Sequence, residues 1–156
     1  MWIPIVISSI SLIFSIWTFF YNKYRNEFKI DFSVLHTYAT VINGSYIKVS
    51  IENKSATPIS ITKFKIANES SNKTTVTNKM QLGVNWFTVT SVMPIHLNPY
   101  EACNAIIYFN VDYNFLNNRD YQLHLFTTRG RKSIFVEGKN KTKNSNDLVG
   151  YEGEMI

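Results

Sequence analysis

The sequence predicts an all-β soluble domain, an antiparallel β-sandwich, carried on one N-terminal transmembrane helix. Three observations predict it. An uncharged run, WIPIVISSISLIFSIWTFFY, fills Trp2 to Tyr21. Beyond it the hydrophobic period changes from helical to alternating, in short runs that end at Asn, Gly and Pro. Those turn signals recur roughly every eight to twelve residues, the spacing of a sandwich of short strands. An immunoglobulin-type topology is the further expectation, although the Cys…Trp…Cys spacing of antibody domains is missing.

The apolar run is the first element. At about 1.5 Å per residue it covers about 30 Å, the hydrocarbon thickness of a bilayer. A cleaved secretory signal needs a basic stretch before a shorter apolar core and small residues at its exit. Here the exit is Trp17-Thr18-Phe19-Phe20-Tyr21, bulky and aromatic. Trp2, Trp17, Phe20 and Tyr21 are therefore assigned to the span, with the Trp and Tyr rings suited to its interfaces. Pro4 sits in the first turn, where its missing N–H costs little. Ser8, Ser9, Ser11 and Ser15 can return their hydroxyls to carbonyls one turn back. Lys23, Arg25 and Lys29 follow at once, facing lipid headgroups. Their one-sided placement predicts an outward N-terminus and a cytoplasmic C-terminal domain. The layout is thus an anchor at 1–22, a basic juxtamembrane segment at 23–27, a β-domain at 28–138 and a polar tail at 139–156.

Within the β-domain, Phe28, Ile30, Phe32 and Val34 alternate onto one face, as a half-buried strand requires. Asn43-Gly44 supplies the two left-handed residues of a type I′ hairpin turn. Ser45 to Ile51 then places Ile47, Val49 and Ile51 inward. Asn53 to Pro58 breaks the ladder, and Pro58 suits the opening of the next strand. Over Ile59 to Ile66 the phase slips, and one extra residue near Thr62-Lys63 predicts a β-bulge. Asn68 to Lys79 is polar and turn-rich. Leu82 to Met93 alternates, with a second slip at Trp86-Phe87. Pro94 to Pro99 reads as a connector, and the apolar run Ala102 to Phe109 as a central strand. The loop Asn110 to Asp120 has room for a helical turn at Tyr113 to Leu116. Tyr121 to Thr127 puts Tyr121, Leu123 and Leu125 on one face, and Arg129-Gly130 turns the chain into Ser133 to Val136. After Gly138, KNKTKNSND is polar without periodicity, so disorder is expected.

The sequence offers no catalytic residue, no metal site and no cofactor motif. His36, His96 and His124 lack metal-site spacing. Asp31, Glu52, Glu101, Asp112 and Asp120 form no paired-carboxylate motif, and no glycine-rich phosphate loop exists. The single cysteine, Cys103, cannot close an internal disulfide and is expected to be a buried, inert thiol in a reducing compartment. Five N-x-[ST] sequons begin at Asn43, Asn53, Asn68, Asn72 and Asn140, a number that this Asn-, Ser- and Thr-rich composition produces by chance. The net charge of +5 comes largely from the two ends of the chain, Lys23 to Lys29 and Arg129 to Lys143. The basic residues are read as lying at the two ends instead of interleaving with the aromatics, which argues against nucleic acid as a partner. No small-molecule substrate is expected. Trp86, Phe87, Met93, Phe115 and Leu116 lie outside regular alternation and are the candidate contact residues, since exposed aromatic and Met clusters mark protein interfaces. The expected partners are the lipid bilayer and another protein.

An anchor of the ISLIFSIWTFFYNKYR kind, followed by IENKSATPISITKFKI and LNPYEACNAIIYF, resembles small membrane proteins of low-GC Gram-positive bacteria and their prophages. Some of these resemble superinfection exclusion proteins. The resemblance covers the whole layout: one span, a basic flank and strand-turn patterning. It implies a protein of the host membrane that stops incoming phage DNA from entering, with an unknown membrane or phage protein as partner. It carries over no individual functional residue. An accessory subunit of a bacterial membrane transport or secretion complex is the other expectation.

Overall fold

The computed structural model describes residues 2–40, 44–66, 79–81, 87–109, 116, 119–144 and 148; at 39–40, 79–81, 87–89 and 140 it describes the backbone alone. Helix α1 (Ile3–Arg25) is 23 residues long and buries none of them. It is long and apolar enough to cross a membrane. It runs further than the predicted span, because Lys23 and Arg25 continue the last turn, where cations complement the negative end of the helix dipole.

Among the described residues ten strands follow: β1 (Ile30–Thr40), β2 (Gly44–Asn53), β3 (Ile59–Ile66), β4 (Lys79–Gln81), β5 (Phe87–Val89), β6 (Ile95–Leu97), β7 (Ala102–Phe109), β8 (Tyr121–Thr127), β9 (Arg131–Val136) and β10 (Thr142–Lys143). They form two four-stranded sheets, ordered β10-β1-β2-β7 and β6-β3-β8-β9, and a small β4-β5 pair. Pairing is antiparallel throughout, except that β10 runs parallel to β1. Both large sheets feed one buried cluster. It includes Phe32, Ile47, Ile51 and Ile107 from the first sheet, and Ile61, Phe64, Leu123 and Leu125 from the second.

The first sheet buries its other face as well. Tyr38, Tyr46 and Ile106 form a second cluster with Leu148, against which Tyr108 packs. This explains why Ala102 to Phe109 is apolar nearly throughout without being central: among the described residues β7 stands at the end of its sheet order, and from Ala105 to Phe109 it is covered on both faces. Its flank is also met by Ser91, whose N–H bonds Ile106 O at 2.9 Å.

The predicted bulge in β3 is present, with the register shifting between Ile61 and Lys63. A second bulge, between Val34 and His36, was not legible from alternation. It lengthens β1 beyond the predicted Val34, so His36 lies inside a strand rather than after it. The slip turns Thr37 toward the main core, opposite Ile47, and Tyr38 toward the second cluster, opposite Tyr46.

Three further expectations change. Gly44 pairs with Thr40 as the first residue of β2, so the connection is residues 41–43 and not a two-residue turn centred on Asn43-Gly44. Gly44 has φ +86°, and a Cβ there would come 2.5 Å from Phe109 O, so its glycine serves a close backbone approach as well as the bend. His96 belongs to β6, not to an irregular connector, because β3 offers a pairing edge there. Finally, the tail expected to be disordered forms a 3-10 turn at Gly138–Asn140 and strand β10, and Leu148 is buried. The order is imposed from outside the segment: the Thr37 N–H bonds Lys141 O at 2.9 Å, and the tyrosine cluster takes up Leu148.

Candidate functional site: the helix exit and the base of the β-domain

The helix exit and the nearest strand ends make one charged assembly. Inside α1, Ser8, Ser9 and Ser15 donate to the carbonyls of Pro4, Ile5 and Ser11 at 2.7, 2.9 and 2.9 Å, so their hydroxyls are satisfied without water. Trp2, Trp17, Phe20 and Tyr21 are all exposed. At the exit, Lys29 pairs with Glu27 at 3.1 Å and lies 3.7 Å over the Tyr24 ring. The hydrogen bond to Glu27 is the main cause that raises its pKa.

The base of the β-domain closes onto this exit through residues distant in sequence. The Arg129 guanidinium, in the β8–β9 turn, bonds both Thr57 Oγ1 and Asn26 O. Beside it, Gly130 leaves room for the Phe28 ring, which would lie 3.1 Å from an added Cβ. Asp31 accepts from Lys132 and from Lys54, the latter at 2.6 Å. Lys132 and then Lys54 hold its carboxyl down to about 2. Lys132 also donates to Ile30 O at 2.7 Å. A cleft of about 440 Å³ opens among Phe28, Asp31, Lys54, Arg131 and Lys132.

Asn53 organises the loops of the same end from inside. Its Nδ2 donates to Thr57 O at 2.9 Å and Asn98 O at 2.8 Å, while its Oδ1 accepts from Ser55 N at 3.0 Å and Ser55 Oγ at 2.6 Å. The sequon beginning at Asn53 is therefore used internally, and the amide is fully buried.

Of the five candidate contact residues, Met93 and Leu116 have described side chains. Leu116 is buried in the core, and Met93 is half-buried and packed against it. Apolar side chains in connections plug the ends of a two-sheet core, which is why they fall outside the alternation. Phe87 is in β5, its side chain outside the described residues, and Trp86 and Phe115 lie outside them altogether. Lys23 and Arg25 stand in the last turn of α1, and Lys29 pairs with Glu27 just beyond it. Alternation could not reveal Arg129 and Asn53, since both act through loop contacts; the turn at Arg129-Gly130 was the only available pointer.

The histidines serve strand surfaces. His96 Nδ1 meets Ser60 Oγ at 2.8 Å, His124 Nδ1 meets Ser133 Oγ, and His36 packs edge-on to Tyr38. Burial, then Glu101, pushes the Cys103 thiol up, away from thiolate reactivity. Among the described residues no three His, Cys, Asp or Glu side chains gather in a metal-binding group. The chain matches no protein-family model and no curated protein.

Proposed function

We propose that this chain is a single-pass membrane protein whose cytoplasmic β-domain binds another protein at the membrane, most concretely to exclude superinfecting phage by blocking entry of their DNA. The observation that carries the reading is α1, bare on every face and ending in Lys23 and Arg25. Its one-sided basic flank supports an outward N-terminus. The Arg129 bond to Asn26 supports a domain held close to the leaflet. The finer fold is a β-sandwich of immunoglobulin-like topology. It is supported by the core shared between the sheets, and by a strand order in which β2 lies between β1 and β7 while β8 lies between β3 and β9.

The test is expression of the full chain, and of a variant lacking residues 2–22, in a phage-sensitive host. Phage DNA entering the cell is quantified. The full chain is expected to reduce entry; the truncated form is expected to lose protection while keeping its strand signature in circular dichroism. A full-length chain that leaves DNA entry unchanged removes the exclusion reading. Crosslinking that recovers one stoichiometric host membrane protein in uninfected cells would place the chain in a transport or secretion complex instead.

A further inference from the structure

The outer face of the sheet β6-β3-β8-β9 carries a grid that sequence order conceals. Lys63, Phe126 and Arg131 form one row across β3, β8 and β9, and Lys65, His124 and Ser133 form the next. Phe135, opposite Gln122, continues the pattern on β9 and is 68% exposed. Neighbouring strands stand about 4.8 Å apart and successive rows about 7 Å. The Lys63 and Lys65 ammonium groups lie 4.9 and 5.8 Å from the centre of the Phe126 ring. The four strands, ISITKFKI, IHL, YQLHLFT and RKSIFV, contain no Asp or Glu. Opposite charges facing each other across strands would stabilise a sheet that met only water. None faces Lys63, Lys65 or Arg131 on these strands.

We propose that this face binds single-stranded nucleic acid. Lys63, Lys65 and Arg131, the two lysines held over the Phe126 ring, would meet the one negative charge that each nucleotide carries, and the exposed Phe135 would offer a ring for bases to stack on. Cations set around aromatics on an open sheet are the combination that holds unpaired strands with little regard to sequence. An acidic protein brings the charge but not the flat rings, and a duplex keeps its bases stacked inside. A bilayer surface fits less well, because the anchor joins the domain at the strand ends and this face runs along the strands. The apparent separation of cations from aromatics fails here because β-pairing brings positions 63 and 131 to either side of 126. The inference stands apart from the exclusion reading, since it needs neither phage nor orientation.

The test uses the full chain in neutral detergent micelles and a fluorescent oligothymidine of about 15 nucleotides, followed by anisotropy. Three phosphate contacts predict that log K falls against log salt with a slope of about −2. Lys63→Ala/Lys65→Ala/Arg131→Ala should flatten that slope by about 2. Phe135→Ala, at an exposed position that leaves the core untouched, should weaken binding about fivefold or more at an unchanged slope. Lys23→Gln/Arg25→Gln should bind like the wild type. The proposal is overturned by absence of binding at low salt or by a triple variant that binds normally. Equal affinity for a duplex of the same length, or polyglutamate that competes equally well per charge, would overturn it too.

Discussion

Replacing Asn53 measures how firmly one buried amide holds together the loops beside the exit of α1. Asn53 sits at the end of β2 with no exposed surface, and its amide makes four well-placed hydrogen bonds, two donated to Thr57 O and Asn98 O and two accepted from Ser55. At about 1 kcal/mol net for each, Asn53→Ala removes about 4 kcal/mol. Water reaches the part-buried carbonyls of Thr57 and Asn98 and recovers some of this, so we expect a loss of about 3 kcal/mol. Asn53→Asp keeps the shape but points an ionised oxygen at two carbonyls that had a donor. Burial and those carbonyls raise the folded pKa of the new carboxyl. Its stability is therefore retained below the ordinary carboxylate range and lost as the pH rises through the raised value. Urea unfolding of the full chain in micelles, read by far-UV circular dichroism, provides the assay. With a slope of about 2 kcal/mol/M, the alanine variant should unfold about 1.5 M earlier. A loss below about 1 kcal/mol, or an aspartate variant no weaker at pH 7 than at pH 4, would refute the reasoning.

Other substitutions probe separate parts of the molecule. Asp31, held down to about 2 by Lys132 and then Lys54, stabilises fully above about pH 4, and the contribution disappears as the pH falls through 2. Because that side chain is half exposed, Asp31→Asn should cost at most about 1 kcal/mol at pH 7 and almost nothing at pH 2, as unfolding midpoints at the two pH values will show. Tyr121→Phe leaves the Thr37 hydroxyl without its 2.8 Å core partner and should cost about 1–2 kcal/mol at neutral pH. Burial raises the Tyr121 hydroxyl to about 12, so its contribution is full below pH 10 and lost as the pH rises through 12; the wild type should lose more stability across that interval than the phenylalanine variant. Gly138→Ala would bring a Cβ to 1.8 Å from Arg119 O, a backbone clash that should cost about 2–3 kcal/mol. Hydrogen exchange should then speed up at the Thr37 N–H, which bonds Lys141 O.

Strands whose side chains divide cleanly between core and water could be read from the sequence. Tyr121–Thr127 and Ile59–Ile66 are examples, the latter even with its bulge, because burial on one face writes a period of two. β7 misled because burial on both faces erases that period, and an edge strand then reads like a central one. The end of β1 was hidden for a related reason, since the bulge after Val34 exchanges which face is apolar. Leu148 and β10 were invisible to composition, as a polar tail is ordered here by a cluster built elsewhere. At the candidate site, Lys23, Arg25 and Lys29 were legible because they are contiguous. The row of Lys63, Phe126 and Arg131 depends on pairings between distant segments, of which only the tight β8–β9 hairpin could have been drawn from local signals.

Only Asn26, Glu27, Phe28 and Lys29 separate the end of α1 from the start of β1. Even fully stretched, four residues extend about 14 Å. With the helix in a bilayer, such a leash confines the domain to a thin layer against the leaflet. On the proposed function, whatever partner it captures must already travel in that layer or pass through it close to the anchor. The search for a partner becomes two-dimensional, and a contact too weak to matter in bulk solution gains the effective concentration that tethering confers.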